Sequence, residues 1–548
     1  LWLFAAMSYS WISPSGWLVL AFVLLLLFPR STWRIKGAAV VLLGAALVLL
    51  QAGGEARTDT FWSPYQKIEV ENQANGQYML RVNSTNYMTI SNGTPEFMAK
   101  HPEVAGVFEQ VSSYDAPYRF AAHTDDVLIV GAGAGNDAAA ALRHGAERVD
   151  AVEIDPVILR VGETLHPDQP YSHAEVRAVL TDARAFLRQT KRHYDVIVFG
   201  LLDSHTEFSN FSNMRLDNYV YTEQSFREAQ RLLKPDGILV LKFEVRQPWT
   251  WIGQRFYAML DGIFGQPPVV FHAESVGHFV SATVFITSND PNLWRRAEAP
   301  PLASLVQANP PPFQMSLVSP PPLTTDDWPY LYHRSHSVPR TYWTVSLILL
   351  IVAMLFVRRV FNPRRPGTWQ FFCLGGGFML LEAQMVSRLA LYFGTTWLVN
   401  CIALSAILIV LVAANTWVLR FRPQKLGIYY VLLILSLLAN FAVPWEHFSW
   451  GVRAVGLLLT GAFAVSVFMA GVIFATVFDM VPEKSEALGS NLMGAMVGGL
   501  AQNISFLAGL KALLVIAAVF YGAAAVFGSP ALGGVRRPGL AANSLPVR

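Results

Sequence analysis

The sequence predicts a parallel α/β domain set inside an otherwise α-helical, multi-pass membrane chain, and three observations predict it. Apolar runs long enough to span a bilayer flank a polar middle. Within that middle, strand-like and helix-like segments alternate from 127 to 244, as a sheet covered on both faces requires. One strand-to-helix junction is glycine-rich: "VLIVGAGAGNDAAAALRHGAERVDAVEIDP", residues 127–156.

The composition supports this division. The 548 residues are enough for several domains, 53% are hydrophobic and only 14% charged. A mean hydropathy of +0.36 places the chain among membrane proteins. The net charge of +3 leaves no bulk footprint for nucleic acid, so no nucleic-acid partner is expected. Cys373 and Cys401 both fall in apolar runs, which excludes a disulfide framework and any cysteine metal spacing. No metal is expected. The chain opens on Leu1 in what reads as a helix already under way, so a preceding start is expected, and no cleaved signal peptide is visible.

From the N-terminus, "SGWLVLAFVLLLLF" (15–28) and "GAAVVLLGAALVLLQA" (37–52) predict a transmembrane hairpin over 1–54. Seven further spans are expected near 342–357, 369–393, 396–419, 427–443, 452–478, 489–509 and 511–527, within a bundle over 341–530. A basic tail (531–548) follows. Alternating these spans puts 14 Lys and Arg, among them Arg30, Arg358, Arg420 and Arg536, on one side, and only Arg453 and Lys511 in the opposite short loops. By the positive-inside rule the soluble middle is extracytoplasmic. The expected location is a bacterial inner membrane, with the lipid bilayer as partner.

The middle begins with a β-meander over 55–95. "YQKIEV" and "QYMLRV" are joined through Asn75-Gly76, a hairpin dipeptide, and "YMTI" (87–90) adds a strand. Over 96–297, strands are read at 127–130, 149–153, 176–179, 195–199 and 238–243. Helices are read at 137–144, 156–165, 182–189 and 222–233. Val157, Ile158, Val161 and Leu165 share one face of the second helix. The proline-rich stretch 298–340 predicts an extended linker.

The glycine turn reads G-x-G-x-G, with Gly131, Gly133 and Gly135. A dinucleotide fingerprint wants glycine at 136, where this chain has Asn136. Asp137 opens the helix where a pyrophosphate needs free amides and no anion. The turn therefore suits a nucleoside without phosphates. Glu153, with Asp155, sits where a carboxylate accepts ribose hydroxyls, and Asp182 where one accepts from an adenine amino group. The competing reading is structural: the glycines close a tight turn, and Asp155 and Asp182 cap helices.

"SPYQKIEV", "GAGAGND", "AVEIDP", "TDARAFL", "YDVIVFGLLDS" and "YTEQSFREAQRLLKPDGILVLKFE" resemble the spermidine synthase family of aminopropyltransferases, over about 65–290. The bundle segments 375–400 and 487–500 resemble multi-pass membrane proteins of that kind. The resemblance implies a Rossmann-like, methyltransferase-type domain behind an N-terminal β-meander. It also implies decarboxylated S-adenosylmethionine or a related adenosyl compound as cofactor, held by Gln66, Gly131, Gly133, Gly135, Glu153 and Asp182, and a polyamine or small amine as acceptor. Two family acids are replaced, by Ala134 and Gly200. For the base that aminopropyl transfer needs, or to bind a cation, Asp203, His205 and Glu207 are candidates, and Tyr114 is a further candidate at the catalytic site, lining an aromatic pocket. Tyr118, Tyr219 and Tyr221 are further candidates for an aromatic pocket. Two functions stay open: aminopropyl or alkyl transfer to an amine, and a catalytically degenerate binding or scaffold subunit of a membrane complex. Glu382, Gln384, Arg388 and Asp479 are polar residues within or at the ends of apolar runs, read as a transport path or as inter-helix pairs.

Overall fold

The computed structural model describes all residues except 1–5, 8, 11, 28–31, 53–57, 74–76, 103–104, 106–111, 203–218, 274–280, 316–319, 359–360, 395–396, 446–447, 449–450 and 533–548. The chain forms two compact units, Leu1–Ser335 with Ala390–Cys401, and His336–Leu389 with Ile402–Arg548.

The first unit carries two sheets. Four antiparallel strands run in chain order: β1 (Thr58–Trp62), β2 (Lys67–Asn72), β3 (Tyr78–Val82) and β4 (Thr85–Ile90). Asn75-Gly76 lies outside the described residues. β1 was not expected, and β4 starts at Thr85 because Asn83 and Ser84 make the turn at positive φ. Alternation along these strands buries Ile68, Val70, Leu80, Val82 and Ile90 on one face. That face packs on Val157, Ile158 and Val161 of the helix Pro156–Leu165. The meander is thereby held over the glycine turn.

The second sheet has seven strands in the order β10-β11-β9-β8-β5-β6-β7. β5 (Asp126–Val130), β6 (Arg148–Glu153), β7 (Val176–Leu180), β8 (Tyr194–Phe199) and β9 (Leu233–Phe243) are parallel. β10 (Val269–Ala273) and β11 (Ala282–Ser288) form an antiparallel edge. This is a Rossmann-type α/β sheet, with apolar cores on both faces. Chain order reverses at β5, between β6 and β8, so a crevice forms beyond the C-terminal ends of those strands. The expected strands and helices fall within a few residues of the observed ones. The edge pair β10–β11 and the helices Thr250–Phe264 and Leu302–Ala308 were not foreseen.

The proline-rich stretch is more ordered than an extended linker. Prolines break it into short pieces, but the apolar residues between them still reach the core. Leu302, Leu305, Trp328, Tyr330 and Leu331 are buried. Arg184, fully buried, donates to Glu228 at 2.7 Å and to Asp326 at 2.9 Å, which ties this segment to the sheet domain.

The second unit is helical. Three helices, Arg340–Val357, Asn400–Phe421 and Ala454–Met480, are long and apolar enough to cross a membrane by length and composition. Leu426–Ala442 is a shorter apolar helix. The expected span 489–509 is interrupted: the helix Lys484–Ala501 gives way to a 3₁₀ turn and then to Gly509 at φ +82°. Gly494 and Gly498 pack against the helix Pro366–Phe393, where an added Cβ would lie 1.8 Å from the Phe372 carbonyl oxygen and 2.4 Å from that of Gly376. Gly499 has no such close neighbour.

Candidate functional site

The site starts from the end of β5. Gly131, Gly133 and Gly135 take φ values of +76°, +56° and +108°, a region that side chains disfavour, so the glycines are required by backbone shape. The turn they make presents the Gly133 amide to the side chain of Glu153, at the end of the neighbouring strand β6. Glu153 Oε2 accepts that bond at 2.8 Å, and Oε1 accepts from the amides of Ile154 and Asp155 at 2.8 and 2.9 Å. Glu153 is 6% exposed, and burial pushes its carboxyl up to about 7.

Asp155 Oδ1 caps the helix Pro156–Leu165 through the amides of Val157 and Ile158. Its Oδ2 accepts from Gln66 Nε2 at 3.1 Å, which brings the meander onto the site. Asp182 Oδ1 caps the helix Ala183–Gln189 through the Ala185 amide at 2.9 Å. Gln66, Gly131, Glu153, Asp155 and Asp182 line one pocket, with apolar walls from Ile154, Ile158, Leu202 and Val220. Gly133 and Gly135 stand behind it, against Met88 and against Pro170 and Tyr171. Glu153 has three of about four lone-pair directions engaged by backbone amides, which leaves about one for a ligand hydroxyl. The pocket thus sets a buried carboxylate and a second acid, Asp182, beside apolar walls.

The helix N-terminus is filled by protein groups. Asn136 accepts from the Ser91 amide and donates to the Thr89 carbonyl and to Tyr114 Oη. Asp137 pairs with Lys242, whose ammonium lies 4.2 Å from the centroid of the Tyr114 ring. Lys242 is fully buried, and that burial lowers its pKa. Lys242 was missed at the sequence level. The signal was there: one charge inside the apolar run "GILVLKF" needs a partner.

Tyr114 is therefore a buried residue beside this ion pair and lies outside the pocket lining. Tyr118 stacks on His144, and Tyr221 packs among Phe243 and Phe256 while its hydroxyl accepts from the Leu202 amide. Asp203, His205 and Glu207 lie outside the described residues. Ala134 is fully buried against the meander core. A Cβ at Gly200 would lie 2.7 Å from the Gly131 carbonyl oxygen and 3.5 Å from Asp137 Oδ2. Among the described residues, no group of three His, Cys, Asp or Glu side chains is placed to hold a metal.

Residues 114–250 match the Spermine/spermidine synthase domain family. The polyamine aminopropyltransferase of Pyrobaculum calidifontis is 25% identical over 184 residues, 30% of this chain and 58% of that one. That of Nitrosomonas europaea is 30% identical over 142 residues, 25% of this chain and 41% of that one. That of Vibrio vulnificus is 27% identical over 210 residues, 37% of this chain and 63% of that one. The chain thus spans less than two thirds of the length of these curated relatives. The solved spermidine synthase of Thermotoga maritima aligns at 14% identity with a TM-score of 0.36, over 46% of this chain and 84% of that one. The domain match and the aminopropyltransferase relatives, both read from sequence, support the spermidine synthase family for the central domain.

Proposed function

We propose that the central domain binds an adenosyl nucleoside of the decarboxylated S-adenosylmethionine kind and transfers an aminopropyl or related alkyl group from it to an amine. The observation that carries this reading is the convergence of Gln66, Gly131, Glu153 and Asp182 on one pocket at the reversal point of the sheet. Glu153 accepts from a ribose hydroxyl. Asp182 accepts from the adenine amino group, and Ile154, Ile158 and Val220 flank the ring. The bound sulfonium nucleoside supplies an electrophilic carbon. The acceptor amine must shed a proton, and Asp203 or His205 takes it, because neither Ala134 nor Gly200 can. The helical unit anchors this domain in a bilayer, a bacterial inner membrane with the domain on the extracytoplasmic side by the Lys/Arg asymmetry.

A second reading, a nucleoside-binding scaffold without transfer, is favoured by Lys242. The acid beside the Gly200 position, Asp137, is already neutralised by the chain's own ammonium, which also covers the Tyr114 ring. An incoming amine would need that charge and that ring.

Calorimetry on the full chain with methylthioadenosine and decarboxylated S-adenosylmethionine tests the pocket. Both should bind, and Glu153→Ala and Asp182→Ala should abolish binding. Release of methylthioadenosine on adding an amine supports transfer, and binding without release supports the scaffold. No heat with either compound would sink both. A reporter fused after residue 300 tests the side of the membrane; a cytoplasmic signal would overturn the orientation.

A further inference from the structure

Inside the helical unit lies a cavity of about 1020 Å³, bounded by the helices Pro366–Phe393, Trp397–Phe421, Val452–Met480, Lys484–Ala501 and Ala512–Leu532. This is large for a helical bundle and ample for a lipid-sized ligand. Gly375, Phe378, Met379 and Glu382 line it from one helix, at the spacing that puts side chains on one face. Leu411 and Phe474 add apolar wall from two others.

Among the buried and half-buried polar side chains of this lining, two have no hydrogen-bond partner among the described residues. One is the carboxyl of Glu382, which has neither a hydrogen bond nor an ion pair. The other is the hydroxyl of Tyr521, in a residue only 1% exposed. Glu382 sits far from either end of its helix, about 24 Å from Pro366 and about 17 Å from Phe393 at ~1.5 Å per residue. A carboxyl at that depth ordinarily faces a cation or a hydrogen-bonding partner. Its neighbour Gln384 donates to the Leu510 carbonyl, while Gln384 Oε1 is itself buried without a partner. The other charged residues of the lining are Arg422, Asp479 and Lys484, all within a turn of helix termini. Lys484 is engaged there with the carbonyls of Phe478 and Asp479.

We propose that this cavity binds a long-chain organic ammonium, with Glu382 as counter-charge and the alkyl tail along the apolar walls. An ammonium supplies the donor and the charge that the Glu382 carboxyl lacks. Phe378 and Phe474 add ring faces that attract a cation. The site stands independently of the nucleoside pocket and of its chemistry.

The test uses the full chain in lipid nanodiscs and three probes of equal tail length: octylammonium, octan-1-ol and octanoate. Calorimetry should give saturable binding for octylammonium and at least roughly tenfold weaker binding for the other two, the size of one charge-assisted hydrogen bond. Glu382→Gln should remove the preference for the ammonium, and Ala475→Phe, which fills the lining without touching the carboxyl, should weaken all three probes. Equal affinity for the three probes, no binding of any, or an unchanged preference in Glu382→Gln would overturn the proposal. The wild-type comparison decides the matter even where a variant does not fold.

Discussion

Glu153 gives the site a pH signature. Its carboxyl is fully enclosed, and burial raises it from 4.5 to about 7. Between those values the folded protein holds a proton that the unfolded chain has released. Stability therefore falls as pH rises through that window, by about 3 kcal/mol in all at ~1.4 kcal/mol per pH unit. A nucleoside hydroxyl reverses the preference, because it donates to the ionised form. About a tenth of the carboxyls are ionised at pH 6 and about nine tenths at pH 8, for a group titrating near 7. The affinity for methylthioadenosine should then rise about tenfold between pH 6 and pH 8, with the midpoint near 7. Methylthioadenosine itself has no group titrating in that range. Calorimetry of the full chain across this interval is the assay. Glu153→Gln should flatten the profile, because its amide cannot ionise. It should also weaken the glycine turn, since one side-chain position facing the Gly133 amide becomes a donor, a loss of about 1.5–3 kcal/mol for a hydrogen bond to a charged group. An affinity that is flat from pH 6 to 8 in the wild type, or that rises toward acid, would refute the assignment of Glu153 to the ligand.

Three further outcomes follow from named contacts. Lys242→Met leaves Asp137 buried and unpaired, which should cost about 3–5 kcal/mol and lower the thermal midpoint of the central domain by several degrees; adding Asp137→Asn should recover much of it, and a single variant that melts with the wild type would show the pair to be inert. Asp155→Ala should cost about 1 kcal/mol through the lost cap on Pro156–Leu165 and should release Gln66, while Asp155→Asn keeps the cap; equal melting of the two variants would count against it. Arg184→Met removes the only buried cation between Glu228 and Asp326 among the described residues, so limited proteolysis should speed up within 298–330, and an unchanged digestion pattern would contradict that tie.

The α/β core was legible because its signals are local. β5, β8 and the second half of β9 are apolar runs, and Asp155-Pro156 and Asp182 mark helix starts by their own chemistry. The face of Val157, Ile158 and Val161 was legible too, but its partner was not, because periodicity reports that a face is buried and not against what. The edge strands β10 and β11 pair with each other, and β11 pairs with β9 through antiparallel contacts distant in sequence; no hairpin dipeptide in the sequence announces them. In the proline-rich stretch, composition outweighed the scattered apolar residues that in fact reach the core. Gln66, Glu153 and Asp182 stand out in the sequence and line one pocket, but which of their atoms faces a backbone amide depends on the fold.

The pocket acids and the missing acids bear differently on activity. Glu153, Asp155 and Asp182 each hold backbone amides as well as lining the pocket. A chain that had lost catalysis would still need them to fold, so their presence argues for the pocket and says little about transfer. Ala134 and Gly200 are the reverse case. Ala134 is enclosed by the apolar contact between the meander and Pro156–Leu165, and its backbone lies 2.4–2.8 Å from where a Cβ on Gly162 would stand. An aspartate there would bury a charge among Val157, Ile158 and Val161. At Gly200 any side chain would press on the Gly131 carbonyl oxygen. Both positions are shaped around small residues, so Ala134→Asp and Gly200→Asp should destabilise the domain and raise no methylthioadenosine release above the wild type. Methylthioadenosine release above the wild type in either variant would show instead that the backbone here still accommodates the acids.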